Sequence, residues 1–419
     1  MRIAVVHNLR AGGAARRLSG MVAALHARPE VTLRQFTLSG AVDVTHMFPE
    51  PDLPDAAGRR ELTAVRHVPV RHTPVRHTTV RHTTVRHAQV ADAVPRWLRP
   101  PLRYTDFIRL ERAWRALAGV VEDWRPDAVF VNPCGLSHAA PAALRWLAAP
   151  SVLYCDEPRR VDYERAARSS TNPATRTLYG PLRAAMRRSD RDAVSSASVI
   201  ATNSAFTAAA IRVAYRRSAR VVAPGVADVF TPTPSAARRS HLLSVGALIP
   251  AKGHELAVRA AGLSGLRLPV VVVAPRPDEA QERRLRRAAD EVGVELVVRV
   301  GVPDAELVEL YRHAYATLYL ARAEPLGLVS LESQACGTPV IVSAEGGLAG
   351  TVDEGVTGFR VARDATAAAG RLADMAAGDR QRWMSAACAA TPAVRQSGAA
   401  LVILALLDEV SRTRGVAAP

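Results

Sequence analysis

Short apolar runs alternate with longer segments whose apolar positions recur at helical spacing, almost from end to end. Arg2–His7 reads as a buried strand and residues 12–26 as the helix that follows it. Asp127–Asn132, Ser151–Cys155, Ser198–Thr202 and Ala219–Ala223 continue the strand series. The second half repeats the scheme with His241–Gly246, Leu268–Ala274, Val294–Val300, Ala316–Ala321 and Thr338–Ser343. Strands that alternate with helices predict parallel sheets covered on both faces, the α/β class. The two series divide near residues 224–240, where Pro, Thr and Ser accumulate as in a linker. The expectation is two doubly wound domains, residues 1–225 and 226–395, followed by a terminal helical segment over 396–419.

One segment departs from this rhythm. A five-residue unit, Val-Arg-His followed by two variable residues, occurs five times across residues 65–89 and carries five of the twelve histidines. A period of five fits neither helix nor strand, and Pro69 and Pro74 oppose both. The expectation is a surface loop inserted in the first domain. A polyanion contact that strengthens as the histidines protonate is a second reading.

Candidate chemistry concentrates after the strands of the second half. Glu324 falls in the turn after one strand, and Glu332 lies eight residues on, inside a helix expected to open near Leu326 with Pro325 in its first turn. Such a turn lies at the carboxyl edge of a parallel sheet, where open α/β folds bind ligands. Backbone amides of Leu326, Gly327 and Leu328 at a helix start favour a phosphate, and Gly327 allows close approach. Two solvated glutamates are the plainer reading of the same residues. Gly246 ends another strand, and Lys252 opens the following helix. It is the only lysine among 55 basic residues. Ammonium is a compact charge on a flexible stem, whereas guanidinium is a broad fork. A crowded diphosphate slot selects the former.

These residues resemble a family. Residues 324–342, Glu-Pro-Leu-Gly through Thr-Pro-Val-Ile-Val, resemble the glutamate–seven residues–glutamate signature of retaining glycosyltransferases of family four. Residues 244–261 are similar to that family's diphosphate-binding strand, loop and helix, and 221–232 to its passage into the second domain. Residues 345–361 resemble its later glycine-rich turn, 8–17 its first-domain glycine loop, and 154–160 its acceptor-side motif. The resemblance implies a GT-B architecture: two Rossmann-like domains facing across a cleft. The acceptor would bind the first domain and the nucleotide-sugar donor the second, with a C-terminal helix (398–412) crossing back to the first. It implies transfer of a sugar from a nucleoside-diphosphate donor with retention, without a metal or other cofactor. Lys252 and the 326–328 amides would stabilise the departing diphosphate, Glu332 would hold the ribose, and Glu324 would contact the sugar. Gly12 and Gly13 would let the first domain approach the diphosphate, and Gly301 and Val302 would edge the base. Asp156 stands where many members carry histidine, and is the acceptor-side candidate for hydroxyl orientation or proton relay, flanked by Arg159 and Arg160. Ala247 stands where the family often has arginine, so a second cation is sought at Arg322, Arg10 or Arg159.

Composition narrows the partners. Hydrophobic residues make up 48% of the 419, ample for two cores, and the net charge is +16. That excess suits an anionic partner. Aromatics, at 5%, are not interleaved with the basic runs, so no nucleic acid is expected. Thirteen arginines against four acidic residues between Arg159 and Arg220, with a basic amphipathic helix expected over 178–191, make peripheral contact with an anionic membrane an expectation. A lipid-linked acceptor fits that reading. Cys134, Cys155, Cys336 and Cys388 show no metal or disulfide spacing. The N-terminus lacks signal-peptide features, and the apolar run 398–407 is shorter than the about 20 residues of a span. The expected location is the cytoplasm, including its membrane face. A sugar-nucleotide epimerase or phosphorylase on the same fold, or a non-catalytic nucleotide-sugar or polyanion binder, are the alternatives.

Overall fold

A computed structural model of the chain describes residues 1–9, 13–38, 81–85, 99–135, 137, 139–159, 163, 180–233 and 239–416. The chain divides into two units. One comprises 1–203, 207–223 and 397–419, the other 204–206 and 224–396.

The first unit holds a parallel sheet of β1 (Arg2–Asn8), β2 (Thr32–Leu38), β3 (Arg81–Val85), β4 (Ala128–Cys134), β5 (Ser151–Cys155), β6 (Val199–Thr202) and β7 (Arg220–Val221), in the order β3-β2-β1-β4-β5-β6-β7. Among its helices are α1 (Gly13–His26), α2 (Arg99–Asp123), α3 (Gly180–Ser196) and α4 (Ala205–Tyr215). Strand alternation explains the two faces. Ile3 and Val5 of β1 face α1, while Ala4 and Val6 face α2. Ala399, Ile403, Leu407 and Val410 of the C-terminal helix (Gln396–Val416) join the α1 face, so the last helix belongs to this unit's core.

The second unit repeats the topology. β8 (His241–Val245), β9 (Val270–Ala274), β10 (Leu296–Val300), β11 (Ala314–Tyr319), β12 (Val340–Ser343) and β13 (Gly358–Val361) lie in the order β10-β9-β8-β11-β12-β13, all parallel. α5 (His254–Ser264), α6 (Glu279–Val292) and α9 (Ala365–Ala376) cover one face, and α7 (Asp304–His313) and α8 (Leu328–Ala335) the other; α10 (Arg380–Ala390) packs beside α8 and α9. In each sheet the order reverses between a first and a fourth strand: β1 and β4, then β8 and β11. The loops that leave the sheet there diverge and open a ligand-binding crevice.

The structure corrects four expectations. β2 and β13 are strands that apolar runs did not mark. β2 carries Arg34 and Gln35, and the polar Gln35 is fully buried because its Oε1 meets the His7 ring at 3.2 Å. Part of the five-residue repeat is also a strand: β3 pairs in parallel with β2, Arg34↔Arg81 through Leu38↔Val85. The copy involved, Arg-His-Thr-Thr-Val, lacks proline and is rich in β-branched residues. Arg34 donates to the Thr83 hydroxyl at 2.9 Å, and the Thr37 and Thr84 hydroxyls meet at 3.2 Å. The rest of the repeat lies outside the described residues. The described first part of the supposed linker is packed: Val226, Ala227 and Phe230 are buried in the second core, with Phe230 edge-on to Tyr311. Finally, α8 begins at Leu328, two residues later than expected, and Pro325 lies in the turn before it.

Candidate functional site

The second unit's switch point brings Lys252 and Glu324 together. β8 ends at Val245, and a 3₁₀ turn, Pro250–Lys252, leads through Gly253 into α5. Backbone hydrogen bonds fix this loop against its neighbour: Arg322 N–H donates to Ala251 O at 2.8 Å. The Arg363 guanidinium donates to Leu320 O and Pro250 O. Lys252 Nζ then donates to Glu324 Oε2 at 2.8 Å and to the Tyr319 hydroxyl at 3.1 Å, and sits 5.6 Å from the Tyr319 ring centroid. The lysine and glutamate side chains are 22% and 21% exposed, partly desolvated yet open to a ligand. Gly246 lies along the lysine stem; a Cβ there would stand 3.3 Å from Lys252 Cγ.

The glycine-rich segment Glu345–Gly350 underlies this arrangement. Gly347 N–H donates to Glu324 O at 2.7 Å. A Cβ on Gly346 would overlap the Glu324 backbone, and one on Gly347 the Pro325 carbonyl. The turn carrying Glu324 is thus laid directly on another backbone, which only glycine permits. Gly327, with φ 99°, turns the chain into α8, and no side chain caps that helix. Its first amides, those of Leu328 and Val329, are left for solvent or an anion, whereas Ser330 N–H donates to Gly327 O at 3.0 Å. Leu326 and Gly327 precede the helix. Glu332 lies just over one turn along α8, is 6% exposed, and accepts a 3.0 Å bond from the fully buried Tyr311 hydroxyl. Burial, then the Glu332 charge, push Tyr311 well above the ordinary phenol range.

His254, the first residue of α5, braces the lysine loop. It is 3% exposed; its Nε2 lies 3.1 Å from Ala247 O and its Nδ1 2.9 Å from Ser244 Oγ. A carbonyl partner requires Nε2–H, which leaves Nδ1 to accept from the serine. Burial lowers its pKa to about 4, so the ring is neutral. The second-cation candidate Arg322 is exposed and has the Arg363 charge as a neighbour. Gly301 follows β10 in the left-handed region, φ 67°, and Val302 packs against the α7 face.

In the first unit Asp156 has a structural partner. Arg17, on the buried face of α1 and 2% exposed, donates to Asp156 Oδ2 at 2.9 Å and to Asn132 Oδ1 at 3.1 Å, and its guanidinium stacks 4.0 Å from the Tyr154 ring centroid. Asn203 Nδ2 donates to Asp156 O at 2.8 Å. An unbalanced buried guanidinium is costly, so Asp156 neutralises Arg17. Arg159 lies beside Met186 of α3. Gly13 opens α1; Gly12, Arg10 and Arg160 lie outside the described residues.

Sequence reasoning missed Tyr319, Tyr311, His254 and Arg17. Arg17 alone left a trace, a charged residue within the apolar stripe of α1. The cysteines are free and buried, and burial pushes Cys336 and Cys388 up to about 12, which leaves them as inert thiols. Among the described residues no group of three or more His, Cys, Asp or Glu is placed to hold a metal ion, and no helix is long and apolar enough to cross a membrane.

Comparison with known proteins bears on the second unit most directly. Residues 230–387 match the family described as glycosyl transferases group 1. The D-inositol 3-phosphate glycosyltransferase of Acidothermus cellulolyticus is 39% identical over 163 residues, 34% of this chain and 36% of that protein. The enzyme of the same name from Mycobacterium bovis is 36% identical over 189 residues, 40% of this chain and 39% of its own. The chain thus matches well under half the length of these relatives. Among solved structures, sucrose-phosphate synthase from Thermosynechococcus elongatus superposes with a TM-score of 0.69 at 19% identity, covering 98% of this chain and 99% of that one. Anabaena HepE in complex with UDP superposes with a TM-score of 0.66 at 13% identity, covering 98% and 100%. At such identities the likeness establishes the fold: two parallel-sheet α/β units, as in GT-B glycosyltransferases.

Proposed function

Because residues 230–387 form a glycosyltransferase group 1 domain, we propose that this protein transfers a sugar, with retention, from a nucleoside-diphosphate sugar to a hydroxyl acceptor. The observation that carries the reading is the chain's single lysine, held beside Glu324 where the second sheet reverses. A diphosphate leaving group gains charge as the glycosidic bond breaks. A fixed ammonium and the α8 amides meet that charge without reorganisation, which is the most effective kind of transition-state stabilisation. This chemistry needs no metal, so activity persists with a chelator present. Glu324 contacts the sugar, Glu332 accepts from the ribose hydroxyls, and the base lies against Gly301 and Val302. A uridine nucleotide is the first choice, since structural neighbours were solved with UDP and UDP-glucose.

Acceptor recognition falls to the first unit. The ion pair with Arg17 supports a shaping role for Asp156 in that region. We place the enzyme in the cytoplasm, where its free thiols are at home. Arginines of α3 such as Arg188, 86% exposed, are suited to an anionic membrane surface and a lipid-linked acceptor. Binding of the protein to anionic but not neutral vesicles tests that part.

The decisive experiment is calorimetry with nucleoside diphosphates and a DNA fragment, followed by nucleotide-sugar hydrolysis and proton NMR of the product anomer. Selective binding of one diphosphate and a retained anomer support the reading. Salt-sensitive DNA binding with no nucleotide preference overturns it. Lys252→Ala is expected to lower kcat by about 10²–10³-fold, the scale of losing one fixed charge-stabilising group, with folding intact; full activity in that variant refutes the assignment.

A further inference from the structure

We propose that Tyr319 is a positioning residue for the diphosphate: its hydroxyl holds the Lys252 ammonium, beside the Glu324 carboxylate, in the geometry that presents the ammonium to a terminal phosphate. The proposal rests on the nucleotide-sugar reading above. Three observations support it.

The first is that the hydroxyl is a fixed point. Tyr319 ends β11 and is 2% exposed, its ring packed among Ala321, Val340, Val342 and Leu348. The ring also lies under Gly327, where a Cβ would stand 3.5 Å from Tyr319 Cε1. A lysine side chain gives up about 2 kcal/mol of rotamer entropy when held in one place. An acceptor on a rigid, buried ring removes much of that freedom before any ligand arrives.

The second is the bonding pattern. The hydroxyl accepts from Lys252 at 3.1 Å, and the same ammonium donates to Glu324 Oε2 at 2.8 Å. A phenol oxygen can accept from an ammonium, which the phenylalanine ring of the same size cannot. Burial, and next the Glu324 charge, push its pKa well above the ordinary value, so the phenol stays neutral beside the carboxylate.

The third is arithmetic. An ammonium has three N–H donors. Glu324 takes one and Tyr319 another. The third is directed by the first two, and a phosphate oxygen can take it without displacing the glutamate. Phenylalanine would fill the same space but leave the ammonium pivoting on Glu324 alone.

The test is Tyr319→Phe, measured by calorimetric affinity for the mono- and diphosphates of uridine, guanosine and adenosine. The wild type is expected to prefer one diphosphate over its monophosphate by tenfold or more. Tyr319→Phe is expected to keep the monophosphate affinity within about threefold but to lose about tenfold of the preference, the scale of a hydrogen bond to a charged group. In a Lys252→Met background the same change is expected to leave the ratio untouched. An unchanged ratio in Tyr319→Phe, or equal losses for both nucleotides, overturns the positioning role and leaves the functional reading standing. A wild type that prefers no diphosphate over its monophosphate overturns both. Should Tyr319→Phe fold poorly, Glu324→Gln supplies the check. It keeps an oxygen facing the lysine, and with Tyr319 still in place it is expected to retain most of the ratio; complete loss of the ratio counts against the tyrosine.

Discussion

His254 makes the stability of the second unit depend on pH, in a direction set by its burial. The folded pKa is lowered from 6.5 to about 4 by burial. Between those values the unfolded chain binds a proton that the folded chain refuses, so stability falls as pH falls through this window. At pH 5 the unfolded imidazole is about 97% protonated and the folded one about 9%, which favours unfolding by about 30-fold, or about 2 kcal/mol. The whole window is worth about 3 kcal/mol. The perturbation is His254→Gln, whose amide can still donate to Ala247 O and accept from Ser244 but does not titrate. The assay is the calorimetric transition of the second unit at pH 7.5 and pH 5 for both proteins, so that other titrating groups cancel in the difference. The wild-type transition is expected to fall by about 4–8 °C more than that of the variant, at about 2–4 °C per kcal/mol for a unit of this size. An equal fall in both proteins refutes the buried, neutral histidine, and with it the hydrogen bonds assigned to its two nitrogens.

Other outcomes follow from particular contacts. Gly347→Ala forces a methyl into the Pro325 carbonyl, so the Glu324 turn must move; a loss of about 1–3 kcal/mol and weaker nucleotide binding are expected, and calorimetry that detects neither would count against the close packing. Arg17→Met leaves Asp156 without its cation and Asn132 without its donor. A loss of about 3 kcal/mol in the first unit is expected, partly recovered by adding Asp156→Asn; if the single change is neutral in denaturant melts, the pair is not structural. Excess chelator is expected to leave sugar transfer unchanged in a coupled assay, and loss that Mg²⁺ restores would refute the metal-free reading.

Most strands were legible because a parallel sheet covered on both faces demands continuous apolar runs, and those runs are visible one residue at a time. The Glu324 turn, Glu332 and Lys252 were legible for a related reason, since local spacing places residues after a strand and along a helix. What escaped were groups whose role depends on a partner far along the chain. Tyr319 looks like one more apolar strand residue until Lys252 arrives from 67 positions away. Asp156 looks like a free carboxylate until Arg17 meets it across 139. Gly346 and Gly347 look like an ordinary turn until the Glu324 backbone lies on them.

By itself the sequence determined the alternation of strands and helices, and hence the two doubly wound sheets, because the period of apolar burial is a local property. It could not choose within the repeat. Arg-His-Thr-Thr-Val occurs at 76–80 and again at 81–85, and identical pentapeptides have identical preferences. Only the fold, through pairing with β2, shows 81–85 to be β3; residues 76–80 lie outside the described residues. Tertiary structure likewise decided which charges are paired, because the cost of burying a charge depends on what packs against it in space.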